Sequence, residues 1–224
     1  MNRPCIGIGY NTDVSVHILL GHGDEEFGLG RPTKFNRDDA IELAMNTFWK
    51  KGYEPTSVSD LATAMSITRS SFYNSFESRE AIFEEALARY QASGTSLMLK
   101  PDMPDFCPIE TTRNFFREVC MNLVADPDGR GCMIINCYVQ SAPDMPPPGG
   151  VQEFIETKKQ QFELVARMAQ DHGTMPRKQN PVIVADALVT LLVGVNVMGK
   201  DIRDADRLWA SADTVLTALG LPAQ

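Results

Sequence analysis

The stretch 56–83, TSVSDLATAMSITRSSFYNSFESREAIF, constrains the fold of this chain more than any other segment. It contains two short helical patterns separated by a tight break at 66–68, and a third helix start follows at Ser78. Apolar residues at three-to-four spacing in both patterns would lock the two helices at a fixed angle. Such a pair is suited to placing its second helix in the major groove of DNA. The segment 57–76 therefore predicts a helix-turn-helix.

The flanking sequence predicts further helices and no convincing strand. Asn36 is a suitable N-cap for a helix that ends at Gly52, Ser57 caps the next one, and Ser78 caps a helix that runs to about Thr95. Beyond a proline-rich connector, the pattern predicts helices at about 109–125, 131–142, 151–172, 181–200 and 204–219. We expect an all-α fold, with an N-terminal three-helix helix-turn-helix domain and a C-terminal helical domain.

The apolar content of the chain is that of a globular protein, at 43% of 224 residues. The longest apolar stretch, 187–198, is interrupted by Thr190, Gly194 and Asn196, so it predicts a buried interface helix and no membrane span. The N-terminus lacks the pattern of a signal peptide. The expected location is the cytoplasm, with no membrane partner.

Cysteine and histidine usage predicts neither a disulfide framework nor a metal site. The five cysteines are an odd set without a CxxC pair, and the three histidines do not fall at ligand spacing. A nucleophile at Cys132 or Cys137 would make the chain a cysteine-dependent enzyme, but no cysteine is paired in sequence with a histidine and an orienting acid. We therefore expect no catalytic residue, no metal, no cofactor and no enzymatic activity.

The net charge of −8 does not by itself favour DNA binding, because phosphate contacts come from lysine and arginine. Between positions 31 and 80, however, seven basic residues stand against seven acidic ones, so this segment is neutral. The acidic excess lies elsewhere in the chain. Local charge is therefore compatible with binding DNA without indicating it.

The segment 31–94 resembles the DNA-binding domain of the TetR/AcrR family of transcriptional repressors. The residues that carry the resemblance lie in register along four predicted helices. They are Ala44, Phe48, Gly52-Tyr53, Thr56-Ser57-Val58, Leu61-Ala62, Ile67-Thr68-Arg69, Phe72-Tyr73-Asn74-Ser75-Phe76 and Ser78-Arg79-Glu80.

The resemblance implies a set of DNA contacts. Tyr73 would touch a phosphate through its hydroxyl, and Arg79 stands where the family has a phosphate-binding lysine. Side chains of the second helix would face bases or the backbone beside them, since arginine pairs with guanine and asparagine with adenine. The complete expected DNA-binding set is Arg31, Lys34, Thr56, Ser57, Thr68, Arg69, Ser70, Ser71, Tyr73, Asn74 and Arg79.

One residue departs from the family pattern. Ser66 occupies the turn position where the family usually has glycine. A left-handed backbone there would cost serine roughly 1 kcal/mol relative to glycine, which a fixed tertiary context can absorb.

The resemblance implies that residues 95–224 form a ligand-binding and dimerisation domain for an unidentified small-molecule inducer. The apolar helices at about 181–200 and 204–219 would pack in pairs as a four-helix homodimer interface. Candidate ligand contacts belong to an apolar, methionine-rich set. They are Phe116, Cys132, Met133, Tyr138 and Phe162.

Cys132 also predicts a reactive thiol, since it stands at a helix N-terminus beside Arg130. A small buried hydrophobe is the alternative interpretation of the same residue. Residues 1–30 show no helical period and are expected to form a flexible extension or to lie outside the native protein, with a short hairpin as the less favoured alternative.

The main hypothesis is a homodimeric, inducer-released repressor on a palindromic double-stranded DNA operator. Two alternatives stay open from the sequence: a ligand-binding dimer without DNA binding, and a cysteine-dependent enzyme.

Overall fold

The computed structural model describes residues 36–92 and 107–223, and within these ranges the chain is helical. Ala142 and Met145 form an isolated β-bridge, and the described residues contain no β-strand. The expected all-α fold is confirmed. The helices are α1 (Arg37–Lys51), α2 (Val58–Ala64), α3 (Arg69–Ser75), α4 (Arg79–Tyr90), α5 (Pro108–Ala125), α6 (Met133–Val139), α7 (Gly149–Asp171), α8 (Pro181–Met198) and α9 (Ala205–Ala218).

Polar caps fix where the first helices begin. Ser57 forms a capping box with Asp60 at the start of α2, and Thr68 and Ser78 accept hydrogen bonds from the first turns of α3 and α4. These contacts satisfy backbone donors that a helix leaves without intrahelical partners. Gly52 ends α1 with a φ of +90°, a conformation that favours glycine. The predicted helix starts at Ser57 and Ser78 and the end at Gly52 are therefore confirmed.

An aromatic cluster holds α1, α2, α3 and α4 together. Phe48 and Phe83 pack edge-to-face with ring centroids 5.0 Å apart, and the Tyr53 ring lies 4.6 Å from that of Phe83. Phe72 of α3 is fully buried in the same cluster. Each buried aromatic side chain removes about 150–250 Å² of surface from water, more than an aliphatic side chain does. The cluster therefore fixes α3 against the rest of the N-terminal helices.

The helices after position 107 form a second core, mainly from α5, α7, α8 and α9. The guanidinium of Arg203 donates to the carbonyls of Leu123 and Val124, at 3.0 and 2.8 Å, and so satisfies acceptors at the C-terminal end of α5. The Arg113 side chain donates to Leu221 O at 2.9 Å and pairs with Asp213 of α9. These contacts hold both ends of α5 against the segments that follow α8 and against α9.

Helix α6 is shorter than the sequence predicted, at Met133–Val139 against 131–142. Gly129 and Gly131 both have positive φ, at +60° and +74°, so the chain turns before the helix can begin. The predicted boundary at 94/95 and the extension 1–30 lie outside the described residues and stay predictions. The predicted end of α4 at about Thr95 also lies outside them.

Helix α8 is long and apolar enough to cross a bilayer by length and composition alone, with a mean hydropathy of 2.0. In the structure it packs against α5, α7 and α9 and contributes Leu188, Val189 and Leu192 to the core. The core helix of a soluble protein passes the same test. Its packing therefore accounts for its composition.

Candidate nucleic-acid interface

The turn between α2 and α3 is a Schellman motif with serine in place of glycine. Ile67 N–H donates to Ala62 O at 2.9 Å, and Ser66 N–H donates to Thr63 O at 3.0 Å. Ser66 has a φ of +55°, so the left-handed backbone expected there is present. The two helices are thereby joined at a fixed angle without glycine.

Helix α3 buries one face and presents a polar one. Phe72 is completely buried, whereas Tyr73 keeps 53% of its surface exposed. Thr68 Oγ1 lies 2.9 Å from Ser71 Oγ, so these two hydroxyls interact at the start of the helix. The exposed residues are those that the sequence predicted: Thr68, Arg69, Ser70, Ser71, Tyr73 and Asn74.

Thr56 does not belong to this surface, so the phosphate contact predicted for its side chain is wrong. Its side chain is fully buried, and its hydroxyl donates to Gly52 O at 2.6 Å. Its N–H donates to Tyr53 O at 3.2 Å. Thr56 therefore closes the loop between α1 and α2 and has no surface to offer to DNA.

Arg79 is turned towards the same loop. Its Nη1 donates to Tyr53 O at 3.1 Å and to Thr56 O at 3.3 Å, and its guanidinium carbon lies 4.2 Å from the centre of the Tyr53 ring. The Arg79 side chain is 22% exposed. A guanidinium held by several carbonyls and a ring is a positioning group. The structure thus favours a positioning role over the expected phosphate contact.

Arg37 is a functional candidate that the sequence analysis missed. Its Nη1 donates to Ser75 O, the last residue of α3, at 2.6 Å, and its Nη2 pairs with Glu85 at 2.6 Å. The guanidinium also lies 4.7 Å from the centre of the Phe76 ring. Arg37 therefore holds the C-terminal end of α3 onto α1 and α4. In the sequence Arg37 is simply the first residue of a helix, and that position does not predict a contact with α3.

Ser57 remains at the surface, at the start of α2. It accepts from Asp60 N at 3.2 Å, and its hydroxyl donates to Asp60 Oδ2 at 2.6 Å. Hydrogen bonds from Lys51 and Ser57 lower the pKa of Asp60 well below its usual range. Arg31 and Lys34, the remaining predicted DNA contacts, lie outside the described residues.

The predicted ligand contacts fall into two groups. Phe116 and Phe162 are completely buried and stack with centroids 5.8 Å apart in the core of the C-terminal helices. Met133 is completely buried in the cluster that holds the N-terminal helices. Cys132 and Tyr138 are partly buried. They pack against both clusters, that is, the cluster that holds the N-terminal helices and the core of the C-terminal helices. The structure therefore does not gather the five residues into one cavity wall, but places two of them where the clusters meet.

Lys158 of α7 is a buried cation that sequence reasoning missed. It is 1% exposed, with Nζ 5.1 Å from the centre of the Phe115 ring and 5.2 Å from that of Phe154. Nζ also donates to Gln161 Oε1 at 3.4 Å. Burial lowers the pKa of Lys158 to about 8, while the nearby Cys132 acts in the opposite direction. In the sequence it is one of two adjacent lysines, a pattern typical of a solvated face.

The cysteines described differ in accessibility. Burial raises the pKa of Cys120 and of Cys137 to about 11 in each case, which keeps both thiols protonated and weakly nucleophilic. Cys107 is buried as well, whereas Cys132 is only partly buried. This placement argues against Cys137 as a nucleophile.

The two predicted dimerisation helices bury some of their apolar residues and expose others. Ala185, Leu188, Val189, Leu192 and Val195 are buried inside their own chain. The exposed apolar side chains of α8 are Val182, Ile183, Val197 and Met198, and α9 exposes Val215.

A fixed pair of short helices with a polar outer face, followed by a helical bundle, defines a helix-turn-helix DNA-binding protein. Residues 40–86 match the family described as "Bacterial regulatory proteins, tetR family". Over this segment the chain is therefore similar to the TetR family of transcriptional regulators.

Two curated relatives match most of the chain. The HTH-type transcriptional repressor ComR of Escherichia coli is 25% identical over 84% of this chain and 90% of its own length. The HTH-type transcriptional repressor DhaR of a Mycobacterium species is 27% identical over 82% of this chain and 91% of its own.

Solved structures share the fold. The TetR family regulator CifR, as a cysteine mutant complexed with a 26-base-pair operator DNA, matches with a TM-score of 0.67 and 27% identity. The match covers 85% of this chain and all of CifR. SmeT, the repressor of a Stenotrophomonas maltophilia efflux pump, has a TM-score of 0.62 at 19% identity, over 82% of this chain and 89% of SmeT.

Proposed function

We propose that this protein is a transcriptional repressor that binds a palindromic operator as a homodimer and is released by a small-molecule inducer. The observation that carries the proposal is the outer face of α3, where six polar residues are exposed on a helix fixed by the buried Phe72. The related regulator CifR has been solved on operator DNA, which supports the same partner here. A protein with this partner acts in the cytoplasm.

The expected DNA contacts follow from the chemistry of that face. Arg69 can donate two hydrogen bonds to guanine, and Asn74 can pair with adenine in the major groove. The exposed Tyr73 hydroxyl and Ser57 suit phosphate oxygens, with Arg37 and Arg79 holding α3 and the neighbouring loop in place. Contacts from Arg31 and Lys34 remain part of the proposal.

The dimer would form through α8 and α9. A single helix of seven residues reads few bases, so a palindromic site needs two copies. Ile183 of α8 is 62% exposed and Val197 is 49% exposed, an apolar surface that a second copy would cover. Gly194 lies between them, and a Cβ built on it meets nothing within 4 Å in its own chain. This opening would allow a close approach of the partner helix.

Inducer response would act where the two clusters meet. Cys132, Tyr138 and Phe154 pack against both clusters, and Lys158 lies beside Phe154. A ligand there would change the packing of α6, which contributes Met133 and Cys137 to the cluster that holds α1. Ligand and operator would then prefer different conformations, so that each weakens the binding of the other.

Operator binding is tested by gel shift with the intergenic DNA upstream of the gene, at low salt. We expect a retarded band for the parent protein and for Arg167→Ala, which removes an exposed charge from α7. The band should weaken for Arg69→Ala and for Tyr73→Phe. A folded dimer that retards no DNA would instead support the ligand-binding dimer without DNA binding.

The dimer is tested by light scattering on size-exclusion chromatography. Gly194→Arg should convert a dimer of about twice 24.8 kDa into a monomer, because the new side chain fits its own chain but not a partner. Gly149→Arg is the matched control, since Gly149 also has open space around it and lies at the start of α7. A parent protein that elutes as a monomer would contradict the proposal.

A further inference from the structure

A polar cleft lies where the end of α1 meets the loop before α6. It has a volume of about 430 Å³, which is within the range of small-molecule sites. Its walls come from four places in the chain: residues 49–52, residues 128–130, Asn136 of α6 with Gln140 at its C-terminal end, and Lys200 after α8. The cleft therefore joins the helix that carries the helix-turn-helix to the C-terminal helices.

Close packing gives the cleft a defined floor. Trp49 Nε1 donates to Gly131 O at 2.7 Å, and the Arg130 guanidinium lies 3.9 Å from the centre of the Trp49 ring. The Gln140 amide occupies the space that a Cβ on Gly52 would need. Asn136 Nδ2 donates to Arg130 O at 2.7 Å. These contacts hold the lining residues in place before any ligand arrives.

The lining is strongly cationic in a chain of net charge −8. The lining includes four cationic side chains and a single carboxylate. The cations are Lys50, Lys51, Arg130 and Lys200, and the carboxylate is Asp128. Arg130 is matched by Asp126 at 3.0 Å and by Asp128 at 3.6 Å. Lys51 is matched by Asp60.

Lys50 and Lys200 differ from these two cations. Neither forms an ion pair with any of the residues that the structure describes. They belong to elements distant in sequence, and both line the same cleft. Ammonium groups of lysine bind phosphate and carboxylate oxygens as point charges. A ligand with two separate negative charges would satisfy both at once.

We propose that this cleft binds a small polyanion, a molecule with two or more phosphate or carboxylate charges, between Lys50 and Lys200. The site is distinct from the DNA-reading face of α3 and from the apolar region around Lys158. A polyanion held there bridges α1 to the segment after α8. Its binding therefore stabilises the folded chain by mass action.

The test is a calorimetric titration of the full-length protein with pyrophosphate and, separately, with citrate at constant ionic strength. We expect saturable binding of at least one probe and a rise in Tm in its presence. The two probes distinguish a phosphate ligand from a carboxylate ligand. If neither probe binds the parent protein at concentrations up to about 10 mM, the proposal is overturned, because a site with two charge-assisted contacts should bind more tightly than that.

The double variant Lys50→Ala, Lys200→Ala should bind the probe at least about tenfold more weakly, the loss expected from removing two charge-assisted contacts. Both side chains are exposed, so the fold should survive, and the Tm without probe checks this. Lys178→Ala, which removes an exposed lysine outside the cleft, is the matched control. Equal affinity in the double variant and in this control overturns the proposal.

A DNA arm separates this site from the operator contacts. If the two lysines instead held DNA phosphates, the double variant would lower the salt slope of DNA binding by about 2 per subunit, and DNA would displace the probe. That outcome overturns the proposal. Because the titration uses no DNA, failure of the repressor assignment leaves its result unaffected.

Discussion

The indole nitrogen of Trp49, on the first helix of the DNA-binding unit, donates a hydrogen bond of 2.7 Å to the carbonyl oxygen of Gly131, directly before α6. A second contact joins α4 to the start of α6, since Met133 N–H donates to the Tyr90 hydroxyl at 3.4 Å. These contacts join α6 and the residue Gly131 before it to α4 and α1.

Trp49→Phe should loosen this junction without touching the DNA-reading face. The lost hydrogen bond leaves a carbonyl unsatisfied and should lower the free energy of unfolding by about 1–2 kcal/mol. Hydrogen exchange measured by mass spectrometry should accelerate in peptides covering 126–133, and not in peptides covering α9. Operator affinity should change less than about twofold, a difference of under 0.5 kcal/mol. Unchanged exchange at 126–133 would show that the hydrogen bond does not restrain the loop.

Ser66→Gly should stabilise the protein by up to about 1 kcal/mol, because glycine adopts the left-handed backbone at this turn without the penalty of a Cβ. Urea denaturation followed by circular dichroism measures the change. Ser59→Gly in α2 is the control and should destabilise by about 0.5 kcal/mol, since glycine weakens a right-handed helix. The same sign for both substitutions would mean that the φ of +55° at Ser66 carries no strain.

Lys158→Met should stabilise the protein at pH 7 by about 2 kcal/mol, since a buried ammonium opposes folding and methionine fills the same space. The pKa of Lys158 is about 8 in the folded chain, against 10.5 as the ordinary value. Between these pH values the unfolded chain binds more protons, so the stability of the parent rises with pH relative to the variant.

The gain from Lys158→Met should therefore shrink between pH 8 and pH 10. Paired urea titrations at pH 7 and pH 9.5 measure it. A variant less stable than the parent at pH 7 would show that the ammonium is held by compensating contacts.

Cys132 should be the first of the described cysteines to react with N-ethylmaleimide under native conditions. Cys107, Cys120 and Cys137 are buried, and burial raises the pKa of the latter two thiols. Peptide mass spectrometry after short labelling times gives the rate for each site, with Cys132→Ser as the control for assignment. Modification of Cys120 or Cys137 at an equal rate would contradict the packing described around them.

The sequence predicted the helices of this fold well and the orientation of some site residues poorly. Apolar spacing and caps located α2, α3 and α4 to within a residue at their starts, because those signals are local. Thr56 and Arg79 were assigned to DNA by family position, yet both point inward. Their orientation depends on the loop between α1 and α2, which no local pattern describes.

Other residues escaped prediction for the same reason. Lys158 is buried because α5 and α7 pack their phenyl rings around it, a tertiary effect invisible in a polar run of α7. Leu188 and Leu192 of α8 are core, whereas Val182 and Val197 of the same helix are exposed, and helical spacing cannot separate two apolar faces of one helix. The shortening of α6 follows from the positive φ of Gly129 and Gly131.

Recognition of a specific operator by this protein requires base reading by the exposed face of α3. The direct measurement is fluorescence anisotropy with the operator and a set of its single-base-pair variants, for the parent, Arg69→Ala and the control Arg167→Ala. We predict that Arg69→Ala loses about 1–3 kcal/mol of discrimination at one symmetry-related base pair in each half-site and keeps it elsewhere. Unchanged discrimination at every base pair, or equal binding of parent protein to operator and scrambled DNA, would contradict base reading by α3.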